Sequence, residues 1–212
     1  STLDISEELD AVGGEFNAFT FKDKTGYYAK VDSKHIETAL DVVSDIYLNS
    51  IIDPKEIKKE KGTIIQELNM YEDTPFRTVW DVYEKLLYGE NSLGRDVAGH
   101  KKTVLAFKRS DFINYMKRFY LANDTVVCIS GKFDEKKMLA STKKYFAGMK
   151  KGEKPQFKKV VENQKNPAVR MKYKKTDQTH LVLGNRAYDE NHKNRFTLAL
   201  LSVILGGNMS SR

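Results

Sequence analysis

Residues 53–75 read DPKEIKKEKGTIIQELNMYEDTP, and this stretch sets both a helix and two carboxylates around which the remaining sequence can be arranged. Asp53 is placed to cap free N–H groups, Pro54 suits the first helical position, and Glu56 completes a capping box. Thr74-Pro75 closes the helix, because the residue before a proline is driven out of the helical region. Ile57, Ile64, Leu68 and Tyr71 recur at helical spacing and predict one apolar stripe. Glu60 and Glu67 stand seven residues apart, so they lie one above the other beside that stripe and away from the lysine-rich face. That position predicts partial burial, and a carboxylate beside a core needs a cation, hydrogen-bond donors or a metal. Ion pairs with Lys58, Lys59 or Lys61 along a solvated edge are one outcome. The other is a metal ligand with a supporting acid, and spacing alone leaves both open.

On the N-terminal side, residues 1–12 predict a helix with Ile5, Leu9 and Val12 on one face, stopped by Gly13-Gly14. Residues 16–21 and 25–31 predict a hairpin turning at Asp23-Lys24. Ser33 then opens a helix carrying Ile36, Leu40, Val43 and Tyr47. After Pro75 a further helix carries Val79, Val82 and Leu86, and Ser110 caps another with Phe112, Tyr115, Met116 and Phe119. Residues 125–130 predict a short apolar strand, and residues 138–146 lie on one more amphipathic helix. The pattern then breaks at KKGEKPQFKKVVENQKNP, residues 150–167, which has two prolines and no sustained period. Beyond it, residues 169–175 and 180–186 read as strands and 194–205 as an apolar helix ended by Gly206-Gly207. The expected organisation is a first domain at 1–150, a linker at 151–167 and the start of a second, non-catalytic domain at 168–212. The expected class is α+β, a mixed sheet with helices packed on one face, followed by the beginning of a second similar domain.

With 212 residues, 40% hydrophobic and 31% charged, the chain can build one good core and at most begin another. The net charge of +7 is concentrated in residues 143–175 without a recognition motif or interleaved aromatics, which argues against nucleic acid. A single cysteine, Cys128 within VVCIS, excludes an internal disulfide framework and suits a reducing compartment. Neither a signal peptide nor a long apolar span is visible, so the expected location is cytoplasmic, away from a membrane.

The runs LDAVGGEFNAFT (9–20), YYAKV (27–31), EKGTIIQELNMYEDTP (60–75), SLGRDVAG (92–99) and LGGNMSSR (205–212) resemble the pitrilysin/insulinase-type zinc metallopeptidases. Among these the order and spacing are nearest the mitochondrial processing peptidase β subunit and single-chain bacterial relatives. The resemblance implies a zinc cofactor held by two histidines of an H-x-x-E-H helix and by a glutamate of a later helix. Glu67 matches that glutamate, and Glu60 matches an acidic residue that supports the site. Asn17, Ala18 and Phe19 match an edge strand along which an extended peptide or unfolded protein substrate pairs. Asp81 matches a position that helps processing peptidases recognise arginine, but its companion one turn earlier is Arg77 here, so that preference is not implied.

The sequence departs from the family in containing no H-x-x-E-H: its four histidines are His35, His100, His180 and His192. In the family that motif would fall upstream of Ser1, so the expectation is an internal fragment, inactive alone, of a zinc metalloendopeptidase, with no catalytic residue of its own and Glu60 in support. His100 looks most like a metal ligand and is expected to be a surface loop residue, since no second ligand stands at helical spacing. A homodimer or pairing with a related subunit is also implied. The alternative is an inactive homologue or non-catalytic partner subunit that binds peptides or an active subunit. Retention of Glu60 and Glu67 and the lack of a long glycine-rich loop near Gly206 weigh against it.

Overall fold

The computed structural model describes residues 2–211, Thr2 through its backbone only; Ser1 and Arg212, the ends of the first expected helix and the last motif, lie outside the described residues. Among the described residues eight α-helices and one hairpin follow in order: α1 (Thr2–Asp10), β1 (Glu15–Thr20), β2 (Thr25–Lys30), α2 (Ile36–Leu48), α3 (Pro54–Glu72), α4 (Pro75–Tyr88), α5 (Lys101–Ala106), α6 (Arg109–Phe119), α7 (Glu135–Tyr145) and α8 (Arg195–Ser202). The class is α+β. Among the described residues the expected mixed sheet is represented by the antiparallel pair β1-β2.

The α1 helix ends as its glycines require. Gly13 takes a left-handed φ of 66°, and the N–H of Gly14 closes on the Leu9 carbonyl at 2.8 Å. Leu9 itself is 1% exposed and anchors α1. In the hairpin Phe16, Ala18 and Thr20 pair with Ala29, Tyr27 and Thr25, so these six residues share one face. Phe19 pairs with Gly26 on the opposite face, and its ring covers the glycine so closely that a Cβ there would run into it.

Helix α2 is the centre of packing: Ala39, Leu40, Val42 and Ser44 are buried, and the helix touches α1, β2 and α7. Leu68, Val104, Leu121 and Met138 complete the core from the surrounding elements. An aromatic seam closes its lower end. Tyr47 stacks on Tyr120 at 4.6 Å, the Tyr27 and Tyr120 hydroxyls meet at 3.2 Å, and the Tyr47 hydroxyl meets Thr125 Oγ1 at 2.7 Å.

Helix α3 begins as expected, with the Asp53 carboxylate accepting from the N–H groups of Lys55 at 2.6 Å and Glu56 at 3.4 Å. The expected capping box is not formed: the Glu56 carboxylate turns one turn forward to Lys59 at 2.7 Å. A cation within reach outcompetes a neutral N–H for that carboxylate. Helix α6 likewise starts one residue ahead of the expected Ser110 cap, with Asp111 accepting from the Lys108 N–H at 2.7 Å.

Three cations tie α3 and the loop before it to α5 and the start of α6. Lys101 pairs with Glu72 at 2.7 Å, and Lys61 Nζ donates to the carbonyls of Leu105 at 2.9 Å and Phe107 at 2.5 Å. Arg109 donates through Nε to Ile52 O at 2.9 Å and through Nη2 to Ile51 O at 3.1 Å. Ile52 has φ of 52°, a left-handed conformation that a β-branched residue avoids, and Arg109 grips this bend.

Residues 125–130, 169–175 and 180–186, expected as strands, carry no ladder. A strand is held by cross-strand neighbours, and alternation in one segment does not supply them. Leu181 and Leu183 are 86% and 93% exposed. The segment instead runs past the end of α3 and along α4: Lys174 Nζ donates to Glu72 O at 2.5 Å and pairs with Asp73 at 2.9 Å, His180 meets the Phe76 ring edge-on at 6.2 Å, and Arg186 Nη2 reaches Leu87 O at 2.5 Å. Residues 151–167 form no helix or strand, and near their start Gly152 exchanges bonds with Asn123 at 2.9 and 3.1 Å.

Replacing Arg109 by Ala should lower stability by about 1–2 kcal/mol in urea titration, since two charge-assisted bonds to backbone are lost at an exposed site. Arg109→Lys should recover part of that loss, because it can reach one carbonyl but not both. Equal stabilities of the wild type and the Ala variant would show that the grip on Ile52 is energetically idle.

Candidate active site

Glu60 and Glu67 project from α3, and both are exposed rather than partly buried. The apolar stripe beside them covers a narrow strip, with Leu68 buried and Ile57, Ile64 and Tyr71 half-buried; α3 packs on α4 and α5 and leaves this flank open. Of the lysines that could have paired with Glu60, Lys59 is taken by Glu56 and Lys61 by the α5 carbonyls.

Glu67 has a specific neighbour. The Tyr71 hydroxyl, one turn further on, donates to Glu67 Oε1. The Tyr71 ring carries the Arg77 guanidinium, 3.1 Å from its centroid. Arg77 in turn acts on Asp81, one turn along α4. Burial holds the Asp81 carboxyl above the ordinary range, Asp96 and Glu84 push the same way, and Arg77 and Lys22 oppose them. Lys22, just beyond β1, pairs with Glu84 at 2.6 Å and also donates to the Arg95 carbonyl. Glu67, Tyr71, Arg77 and Asp81 thus form a continuous polar ridge to which Lys22 attaches the hairpin.

Asn17, Ala18 and Phe19 are exposed on β1. Ala18 N–H is received by its neighbour's side chain, Asn17 Oδ1, at 2.8 Å. Among the described residues β1 has β2 on one side and no strand on the other. Phe19's ring is spent on Gly26, its partner across the hairpin.

Zinc sites in proteins use about three protein ligands or more. Among the described residues no three His, Cys, Asp or Glu side chains converge on a point where a metal could sit. His180 rests on Phe76, His192 stacks on Tyr188 at 4.0 Å and accepts from Asn194 N–H at 3.1 Å, and His100 is exposed immediately before α5. The described residues therefore do not fit zinc by themselves, and Glu67 offers one oxygen donor.

The sequence reading placed Tyr71 in the apolar stripe and missed its hold on Glu67, although their spacing of four residues was a usable signal. Lys22 and Asp96 come from distant loops, and no local pattern points to them.

Residues 1–101 match the family model described as insulinase (peptidase family M16), and residues 106–212 match the peptidase M16 inactive domain. The uncharacterized zinc protease YmxG of Bacillus subtilis is 36% identical over 218 residues, covering 100% of this chain and 51% of that protein. An uncharacterized zinc protease of Rickettsia felis is 34% identical, covering 98% of this chain and 50% of its own length. The solved structure of an M16-like peptidase from Alicyclobacillus acidocaldarius superposes with a TM-score of 0.65 at 25% identity, covering 74% of this chain and 37% of that one. The chain spans about half the length of the curated relatives it matches.

The titration of this surface has a defined sign. Asp81, raised by burial, contributes stability that is full below the ordinary carboxyl pKa and is lost as the pH rises through its elevated value. Glu72 and Asp73, lowered by hydrogen bonds from Lys101 and Lys174 and by their charge, contribute above the ordinary value and lose it as the pH falls. Asp81→Asn should therefore remove a decline in stability that sets in above about pH 4, read as urea midpoints from pH 4 to 7. An unchanged pH slope would mean that Asp81 does not titrate differently in the folded protein.

Proposed function

We propose, because this chain belongs to the M16 family of insulinase-type peptidases, that it contributes one metal ligand and part of the substrate cleft to a zinc metalloendopeptidase acting on extended peptides. The observation that carries this reading is the exposed Glu67 carboxylate, oriented by Tyr71 and Arg77 on the same ridge as Asp81.

In the whole protein Glu67 supplies one donor, and further donors come from residues beyond this sequence. Zinc, when bound, supplies a Lewis acid and lowers the pKa of a coordinated water. The chain's own residues act around it. The Tyr71 hydroxyl restrains the Glu67 carboxylate, Glu60 supports the site two turns earlier on the same helix, and Asp81 lies on the cleft wall. The open edge of β1 at Asn17, Ala18 and Phe19 receives an extended peptide or unfolded protein, which joins β1 as an added strand. Arg77 would oppose a basic peptide side chain beside Asp81.

Residues 1–150 form the first metallopeptidase-like unit in this reading, 151–167 its linker and 168–212 the opening of a second, non-catalytic unit. A cytoplasmic location and pairing with a second copy or related subunit belong to the same proposal. No helix among the described residues is long and apolar enough to cross a membrane. A peptide-binding subunit without catalysis is the second reading, favoured by the absence of a three-ligand cluster among the described residues.

Zinc content and cleavage of an unstructured peptide by the intact protein separate the two. Glu67→Gln should lower both together, while Glu60→Gln should weaken them less, by about 10–100-fold, as expected of a group that supports a ligand. Cleavage should also disappear with a chelator. A Glu67→Gln protein with unchanged zinc and rate would remove Glu67 from the site, and a wild type without zinc or cleavage would favour the non-catalytic subunit.

A further inference from the structure

We infer that the cavity beneath the turn end of the hairpin is a subsite for one bulky apolar or aromatic side chain of the peptide that pairs with β1. The inference rests on the reading of β1 as a peptide-binding edge. The cavity holds about 390 Å³ and lies between the hairpin, the loop joining α2 to α3, and α6. That is near the lower end of ligand pockets, which run from about 300 to 1,000 Å³, and so suits a single large side chain.

Its walls are Ile46, Ile52, Phe107, Phe112, Tyr115 and Met116, while Thr20 and Thr25 stand at the hairpin side. Three of the polar groups in the lining have partners. The Tyr27 and Tyr120 hydroxyls bond each other at 3.2 Å, and the Asp111 carboxylate receives the Lys108 N–H at 2.7 Å. Six apolar or aromatic walls face one carboxylate, Asp111, so an apolar side chain gains burial over most of its surface, whereas a cation would lose its water against those walls for a single acid that already holds a backbone N–H.

The register of the hairpin supplies the occupant. Thr20 shares its face with Thr25 and Tyr27, all three of which line the cavity, whereas Asn17 and Phe19 belong to the other face. Neighbouring strands keep their pleats in phase, so the residue of an added strand that lies beside Thr20 directs its side chain to the cavity side. The next residue along points away. One peptide position is therefore selected, and the wall it meets is fixed in advance by the bend at Ile52 that Arg109 holds.

Labelled extended peptides carrying Phe, Ala or Lys at one position, moved stepwise along the sequence, can be titrated against the intact protein by fluorescence anisotropy. Phe should bind about ten-fold or more tightly than Ala at one position only, with Lys no better than Ala. Met116→Trp, which fills the cavity, should abolish that preference, and Met116→Ala, which enlarges it, should shift it toward Trp; circular dichroism confirms that each variant is folded. Equal binding of Phe and Ala at every position, preference for Lys, absence of peptide binding, or a preference indifferent to both Met116 variants would overturn the subsite. Cleavage assayed in parallel keeps the two readings apart: binding selectivity without hydrolysis would reject the peptidase reading and retain the subsite.

Discussion

The position of α3 depends on cations that reach backbone carbonyls. Lys61 crosses from α3 to the end of α5, and Arg109 crosses back from α6 to the loop in front of α3. The two hydrogen bonds from Arg109, discounted for exposure, contribute about 1–2 kcal/mol together, whereas an exposed ion pair contributes about 0–1 kcal/mol. These carbonyl contacts therefore outweigh pairs such as Lys59–Glu56, and they offset the roughly 1–3 kcal/mol stored in a left-handed Ile52. Everything that Glu60 and Glu67 can do follows from where this brace holds their helix.

The brace works against a small core. The buried apolar residues run from Leu9 to Met138 and gather around α2. Aromatic contacts extend that core at its lower end, where Tyr27, Tyr47 and Tyr120 bring together the hairpin, α2 and the end of α6. Burial raises the Tyr120 hydroxyl far above its usual range, so the seam stays neutral and hydrogen-bonded through the physiological pH range. Beyond residue 167 the chain contributes contacts to the end of α3 through Lys174 and to α4 through His180 and Arg186 rather than core.

The candidate site joins two kinds of electrostatics. Glu72 and Asp73 at the end of α3 are exposed and ionised beside lysines, while Asp81 is withdrawn from water among other acids. Arg77 stands between them, stacked on the tyrosine that holds Glu67. Asp81 is thereby balanced by a cation that also rests on the tyrosine holding Glu67.

The sequence by itself determined most of the helices, because their signals are local; the short α5, which has no side-chain cap, was not among them. Asp53-Pro54, Thr74-Pro75 and Gly13-Gly14 act within one turn, and α3 and the end of α1 follow them. It also determined the hairpin and the identity of Glu60, Glu67, Asn17, Ala18, Phe19 and Asp81 as the residues to place. Only the tertiary structure decided how exposed the two glutamates are, since a residue beside an apolar stripe is buried only if another element packs over it. It alone showed that residues 125–130, 169–175 and 180–186 carry no ladder, because a strand needs a partner distant in sequence. The same holds for Arg109 on Ile52, Lys22 on Glu84 and the cavity under Thr20. Each joins groups from separate elements, and their proximity exists only once the helices have packed.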